Sequence, residues 1–309
     1  MLRLHTLGCA LGVAFLALAC ARVDPPRVRC VSNALKQPGL SNGVAVFSGA
    51  NGNAGFASED WQGRIRLALS YEYQVASLTK PIVAHAIRKQ IKAGKLHLNT
   101  AVADVLERDI AFEKEAGDVT IQQLLQHTGG HSYGDSDPLW IRGSESTGPD
   151  CRAAAEYVAR HRKNPGGRIS YSNAGYCLLG EVLKKVSPAT LDHDLVIDII
   201  HTPLGAAGGW VSTLPEVHAK LRETFPLDLL EPPPLPLVDG SWYAYGWRWW
   251  PEPQMGAQWT HTGRLPGLLA VALADGTDTL MVAHFQGDPP DFQRAAAEFG
   301  RSAWPCMSL

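Results

Sequence analysis

The chain has 309 residues, 45% hydrophobic and 19% charged, with a formal net charge of −2. That length and composition allow one large core or two interleaved ones. The near-neutral charge gives no basic field for nucleic acid, and no internal repeat or long low-complexity run is present.

Met1-Leu2-Arg3 leads into an apolar run from Leu7 to Leu18, followed by Ala19 and Cys20. A basic start, a short hydrophobic segment and small residues predict a signal peptide over residues 1–20. The run is short for a membrane-spanning helix. Cys20 directly after the small residues resembles a bacterial lipoprotein box, although Ala17 stands where a larger aliphatic residue is usual. Lipidation of Cys20 with membrane anchoring, plain cleavage and a retained anchor stay open. All three imply export to the periplasm or cell envelope, where disulfides form. Cys30, Cys151, Cys177 and Cys306 allow three full pairings. Cys30–Cys306 would tie the termini together; for Cys151–Cys177 two buried free thiols compete with a bridge. No Cys/His spacing has the form of a zinc site, since Gly129-Gly130 between His127 and His131 argue against a helical ligand pair.

Strands are predicted at Gly43–Phe47 and near Gly55–Ala57, joined by the turn Asn51-Gly52-Asn53. Behind Pro81, the residues Ile82, Val83, Ala86, Ile87 and Ile91 form an apolar stripe at helical spacing that stops at Gly94. Asn99 and Thr100 cap a short helix through Val105, and Thr120-x-x-Gln123 is a capping box for a helix over Ile121–Gln126. Asp150 caps a helix through Arg162, and a turn at Asn164–Gly167 precedes an extended piece, Arg168–Tyr171, and a helix over Ala174–Lys185. The Pro-rich stretch Glu231–Pro236 reads as a crossing between lobes. Strands follow at Tyr243–Trp250, Gln258–Thr262, Leu268–Ala274 and Thr279–Phe285, then a helix from Asp291 to about Ser302. This order predicts an α/β (α+β) fold: a sheet domain from residues 27–78 and 239–309, with a mainly helical domain, 79–238, inserted.

The chemistry centres on Ser77-Leu78-Thr79-Lys80. Residues three apart on a helix share a face, so a hydroxyl and an amine meet at a helix N-terminus, which favours a developing oxyanion. Burial would lower the lysine pKa and let it accept the serine proton. Tyr171-Ser172-Asn173 and His261-Thr262-Gly263 supply partners. In this order the three patterns resemble the boxes of the serine β-lactamase and penicillin-binding protein superfamily, especially class C β-lactamases, DD-peptidases and related esterases. Leu124–Gly130, Gly208–Thr213, Tyr245-Gly246-Trp247 and Leu265-Pro266-Gly267 support the resemblance, which runs from about Ser41 to Gly287.

The resemblance implies a β-lactamase/transpeptidase-like antiparallel sheet and an exported serine hydrolase that needs no cofactor and no metal. It implies that Ser77 attacks, that Lys80 and Tyr171 move its proton, and that Asn173 holds Lys80 and a substrate amide. The backbone N–H groups of Ser77 and Arg264 would form the oxyanion hole, with His261, Thr262 and Gly263 lining the substrate strand. A nearby cation would lower the Tyr171 phenol pKa. His261 departs from the lysine of many β-lactamases and is only partly charged at neutral pH, so a peptidase or esterase acting on a small-molecule or peptide substrate is favoured. The alternatives are a true β-lactamase and a non-catalytic envelope protein that binds a peptide or β-lactam.

Three features carry the plainer reading. His127 reads as a structural loop residue. Gly130-His131-Ser132-Tyr133-Gly134 matches the elbow of α/β-hydrolases but has a helix before it and a loop after it, where that elbow needs a strand and a helix. The aromatic residues between Trp242 and Trp250 are expected in the core, with one or two rings on a cleft rim.

Overall fold

Among the described residues, nine strands come from the two ends and the middle of the chain: β1 (Ser41–Ser48), β2 (Ala54–Ser58), β3 (Glu72–Gln74), β4 (Val211–Thr213), β5 (Trp242–Ala244), β6 (Trp247–Trp249), β7 (Trp259–Leu265), β8 (Leu268–Ala274) and β9 (Leu280–Gln286). Seven of them form one antiparallel sheet in the order β2-β1-β9-β8-β7-β6-β5, and β3 pairs with β4 separately. The computed structural model describes residues 25–49, 54–59, 69–131, 137, 139–140, 148–162, 168–187, 195–225, 227 and 230–309. The signal segment with Cys20, the turns at 51–53 and 164–167, and Ser132 of the elbow-like motif lie outside the described residues. Among the described residues no helix is long and apolar enough to cross a membrane.

Both faces of the sheet are covered, which is why its central strands read as continuous apolar runs rather than alternating ones. On one face Val44, Val46, Ala270, Ala272 and Val282 join the core shared with the middle helices. On the other, Phe47, Leu269, Val271, Leu273 and Phe285 meet the helices Pro25–Ala34 and Phe292–Ala303. Cys30–Cys306 links the first of these helices to the 3-10 turn Trp304–Ser308 that follows the second, and Cys151–Cys177 links the helices Cys151–Arg160 and Asn173–Val186. Both bridges thus match pairings open from the sequence.

Local chemistry sets most boundaries. The capping box at Thr120 and Gln123 is formed, and Asp150, Ser172 and Asp291 each cap a helix by accepting a backbone N–H. Two expectations fail, for the short helix and for Tyr243–Trp250. The short helix is Val102–Leu106, capped by no side chain, because Thr100 instead accepts the His97 N–H. Arg168–Tyr171, expected as a short extended piece, carries an isolated bridge from Arg168 to Leu235. Tyr243–Trp250 is not one strand but the hairpin β5–β6, turned by Tyr245 (φ +50) and Gly246 (φ +81). Positive φ at both central residues gives the turn that matches strand twist. A Cβ on Gly246 would lie 2.5 Å from the Pro81 nitrogen, so this turn packs directly on the chain beside Lys80.

Candidate active site

Ser77 lies in a 3-10 turn, Ala76–Leu78, that runs straight into the helix Thr79–Lys92. Ala76 has φ +48, a conformation costly for a residue with a Cβ, by about 1–3 kcal/mol. The turn is clamped in place. Val75 donates its N–H to the Trp210 carbonyl, Trp210 donates to Thr79 Oγ1, and Thr79 Oγ1 donates to the Ala76 carbonyl. Strained backbone that is over-determined in this way marks functional sites.

Lys80, in the first turn of that helix, is fully buried. Its Nζ lies 3.0 Å from Ser77 Oγ, 2.8 Å from Asn173 Oδ1 and 2.7 Å from the Ala207 carbonyl. Burial lowers its pKa to about 7, against a smaller upward pull from Asp137. Asn173 is free to reach Lys80 because Ser172 caps the helix that Asn173 begins. Its Nδ2 donates to Asp137 Oδ2 at 2.9 Å. A carboxylate only accepts, so this bond fixes the amide orientation and turns Oδ1 to Lys80. With Ala207 O also an obligate acceptor, a neutral Lys80 spends both N–H groups on these two partners. Its lone pair is left for the Ser77 hydroxyl. Asp137 and the Ala207 carbonyl were not legible in the sequence: one lies in an irregular Gly/Ser/Asp/Pro stretch, the other is backbone.

Tyr171 hydrogen-bonds Ser77, and Lys80 Nζ lies 4.9 Å from the Tyr171 ring centroid. The expected lowering of the phenol pKa does not occur. Burial raises it well above its ordinary value, reinforced by Tyr243 and only partly offset by the Ser77 bond. Tyr171 is therefore a neutral phenol and a donor. His127 joins the site as well: it is buried at φ +58, and its ring lies 4.3 Å from that of Tyr171.

Strand β7 closes the opposite side. It pairs with β6 only through Trp259 and Thr260, so from His261 onward the edge away from β8 carries no ladder. A Cβ on Gly263 would overlap the Val75 carbonyl and lie 3.2 Å from the Ser77 nitrogen; glycine alone permits this approach. His261 is 4% exposed and hydrogen-bonds the Ser77 backbone, and its Nε2 has no partner. Burial, then Lys80, push its pKa down to about 3, so it is neutral rather than partly charged at pH 7. Ser77, Tyr171, Asn173, His261, Thr262 and Arg264 line one cleft of ≈ 800 Å³. Arg264 is exposed, its guanidinium 5.0 Å from the Phe292 ring centroid. Tyr243 and Trp250 reach the cleft wall while Trp242, Tyr245 and Trp247 are buried, as expected of the aromatic cluster. Arg248, also on the wall, is paired with Asp239 at 2.6 Å.

The fold defines a class: mixed helices and an antiparallel sheet of the β-lactamase/transpeptidase type. The sequence matches the Beta-lactamase family over residues 72–207. Penicillin-binding protein 4 of Amycolatopsis lactamdurans is 33% identical over 151 residues, 48% of this chain and 38% of that protein. Among solved structures, SurE with D-Leu superposes at a TM-score of 0.67 with 18% identity, covering 92% of this chain and 76% of that one. The D-amino acid amidase of Ochrobactrum anthropi SV3 does so at 0.64 with 16% identity, covering 91% and 98%. The chain spans little more than a third of the length of the curated relatives it matches. These similarities support the serine β-lactamase and penicillin-binding protein superfamily.

Proposed function

We propose that the protein is an exported serine hydrolase that cleaves a small amide, ester or peptide through an acyl-Ser77 intermediate. The observation that carries this reading is the buried Lys80 amine, its pKa lowered to about 7 and its Nζ 3.0 Å from the Ser77 hydroxyl.

Ser77 Oγ attacks the substrate carbonyl carbon as its proton passes to Lys80 Nζ. The oxyanion forms against the Ser77 N–H and the β7 backbone at Arg264, which Gly263 brings close. Collapse breaks the bond to the leaving group, which takes a proton from the neutral Tyr171 hydroxyl. Lys80 then returns its proton to Tyr171. Water completes the cycle by attacking the acyl-Ser77 ester as Lys80 takes its proton, which then passes to Ser77 Oγ as the ester bond breaks and the acid product leaves. Neutral His261 supplies no fixed positive charge beside Ser77 for a substrate carboxylate, which favours ester or peptide substrates over efficient β-lactam hydrolysis.

The test is intact-mass spectrometry after exposure to a penicillin and to p-nitrophenyl acetate, with wild type beside Ser77→Ala. A wild-type adduct, or product formation, that disappears in Ser77→Ala is the expected result. Equal behaviour of the two proteins would overturn the reading and leave a binding role.

A further inference from the structure

His127 touches the peptide on both sides of Tyr171 as well as the ring between them. Its backbone carbonyl accepts the Ser170 N–H at 2.8 Å. Its Nδ1 accepts the Ser172 N–H at 3.1 Å. The imidazole packs on the Tyr171 ring at 4.3 Å with an interplanar angle of 33°, and meets Tyr243 edge-on at 4.8 Å. Three consecutive residues are thus laid on one side chain and its own carbonyl.

The conformation of His127 serves this arrangement. Its φ of +58 is uncommon for a residue with a Cβ, and His and Asn are among the types enriched there. The N–H of His127 donates to the Leu124 carbonyl, closing the end of the helix Ile121–Leu125. From that point the chain directs carbonyl and imidazole towards residues 170–172. Because Nδ1 accepts from a backbone N–H, the single proton of the neutral ring is on Nε2. A protonated imidazole would carry a hydrogen on Nδ1 and lose the Ser172 bond. His127 does not line the cleft, so it acts on a substrate only through what it holds.

We propose that His127 is the positioning residue for Tyr171, fixing the phenol against Ser77 by gripping the backbone on either side of it and packing on its ring. This rests on the acyl-Ser77 reading of the site and assigns that site a further residue. The grip keeps the Tyr171 hydroxyl in one place through both proton transfers, where a shift of about 1 Å costs on the order of 100-fold in rate.

The experiment is a double-mutant cycle on hydrolysis of methyl butyrate, an alkyl ester whose alkoxide leaving group needs a proton, read by acid release, with melting followed for every variant. His127→Leu removes the acceptor and the planar ring. His127→Asn keeps a side-chain acceptor at the δ position and tolerates positive φ. Each is made on the wild-type and on the Tyr171→Phe background. Expected is a loss in kcat of about 100-fold for His127→Leu with KM changed less than about threefold. His127→Asn recovers to within about tenfold of wild type. On the Tyr171→Phe background neither change costs more than about threefold, because the group being positioned is already gone. Equal losses on both backgrounds would mean a general structural role and overturn the proposal, as would a His127→Leu enzyme within about threefold of wild type. If His127→Leu does not fold, the asparagine cycle decides: a loss confined to the Tyr171 background supports the proposal, and no loss or equal losses overturn it. Ser77→Ala runs alongside. If it hydrolyses the ester as fast as wild type, the acyl-Ser77 reading itself fails, a result distinct from an additive cycle on an active enzyme.

Discussion

The two faces of the sheet are built from different chemistry. The face towards Phe292–Ala303 is apolar and closed by the Cys30–Cys306 bridge, with Phe285 and Phe299 meeting edge-on at 5.1 Å. The face towards the middle helices carries small residues along β8, Ala270, Ala272 and Ala274. On that side lie Lys80 and the buried histidines His127, His131, His218, His261 and His284, each with its pKa pushed down by burial. One face holds the fold together while the other keeps ionisable groups dry and neutral. The difference predicts that stability and catalysis separate by face, and that acid attacks the molecule from the polar side.

The largest expected effect is acid unfolding. These histidines have folded pKa values of about 4 or below for His131, His218, His261 and His284, against about 6.5 in an unfolded chain. Below pH about 6.5 the unfolded chain binds more protons, so stability falls with pH and is lost as it passes about 4. Circular dichroism melts across that range should show Tm falling steadily; a constant Tm would break the comparison. Next, Lys80→Met should slow Ser77 acylation by about 1,000-fold or more while the protein stays folded, since it removes a base and a buried amine together. Phe299→Ala should do the reverse, costing about 3–5 kcal/mol in denaturant unfolding with acylation at 25 °C unchanged. Gly263→Ala places a methyl on the Val75 carbonyl and should push β7 off Ser77, lowering kcat by about 100-fold. Asn173→Ala, which frees one Lys80 N–H and removes the donor to Asp137 Oδ2, should cost about tenfold in acylation with a modest loss of stability.

What the sequence made legible follows the same division. The capping box at Thr120, the caps at Asp150 and Asp291, and the apolar run Leu268–Ala274 depend on neighbours in the chain, and each appears where local chemistry puts it. Ser77, Lys80, Tyr171, Asn173 and His261 come together from separate patterns because their residue types sit next to helix and strand signals. The rest depends on distant packing. The helix Pro25–Ala34 has a polar average composition and is held by its place on the sheet and by Cys30. β3 and β4 are three residues each, too short for a periodic signal. The hairpin break at Tyr245 and Gly246 follows from how the turn meets Pro81. The ionisation of Tyr171 and His261 was misjudged from sequence for one reason: charge partners are visible there, but depth of burial is not, and burial dominates both shifts.

The central claim is that an uncharged Lys80 takes the Ser77 proton. Its most direct test is the pH dependence of the pre-steady-state acylation rate with p-nitrophenyl acetate, read from about pH 6 to 9 on folded protein. With the amine's pKa lowered to about 7, the free base appears as pH rises, so the rate should climb through about 7 and level off above it. A flat profile, or a rise that begins only near the ordinary lysine value of about 10.4, would contradict the account.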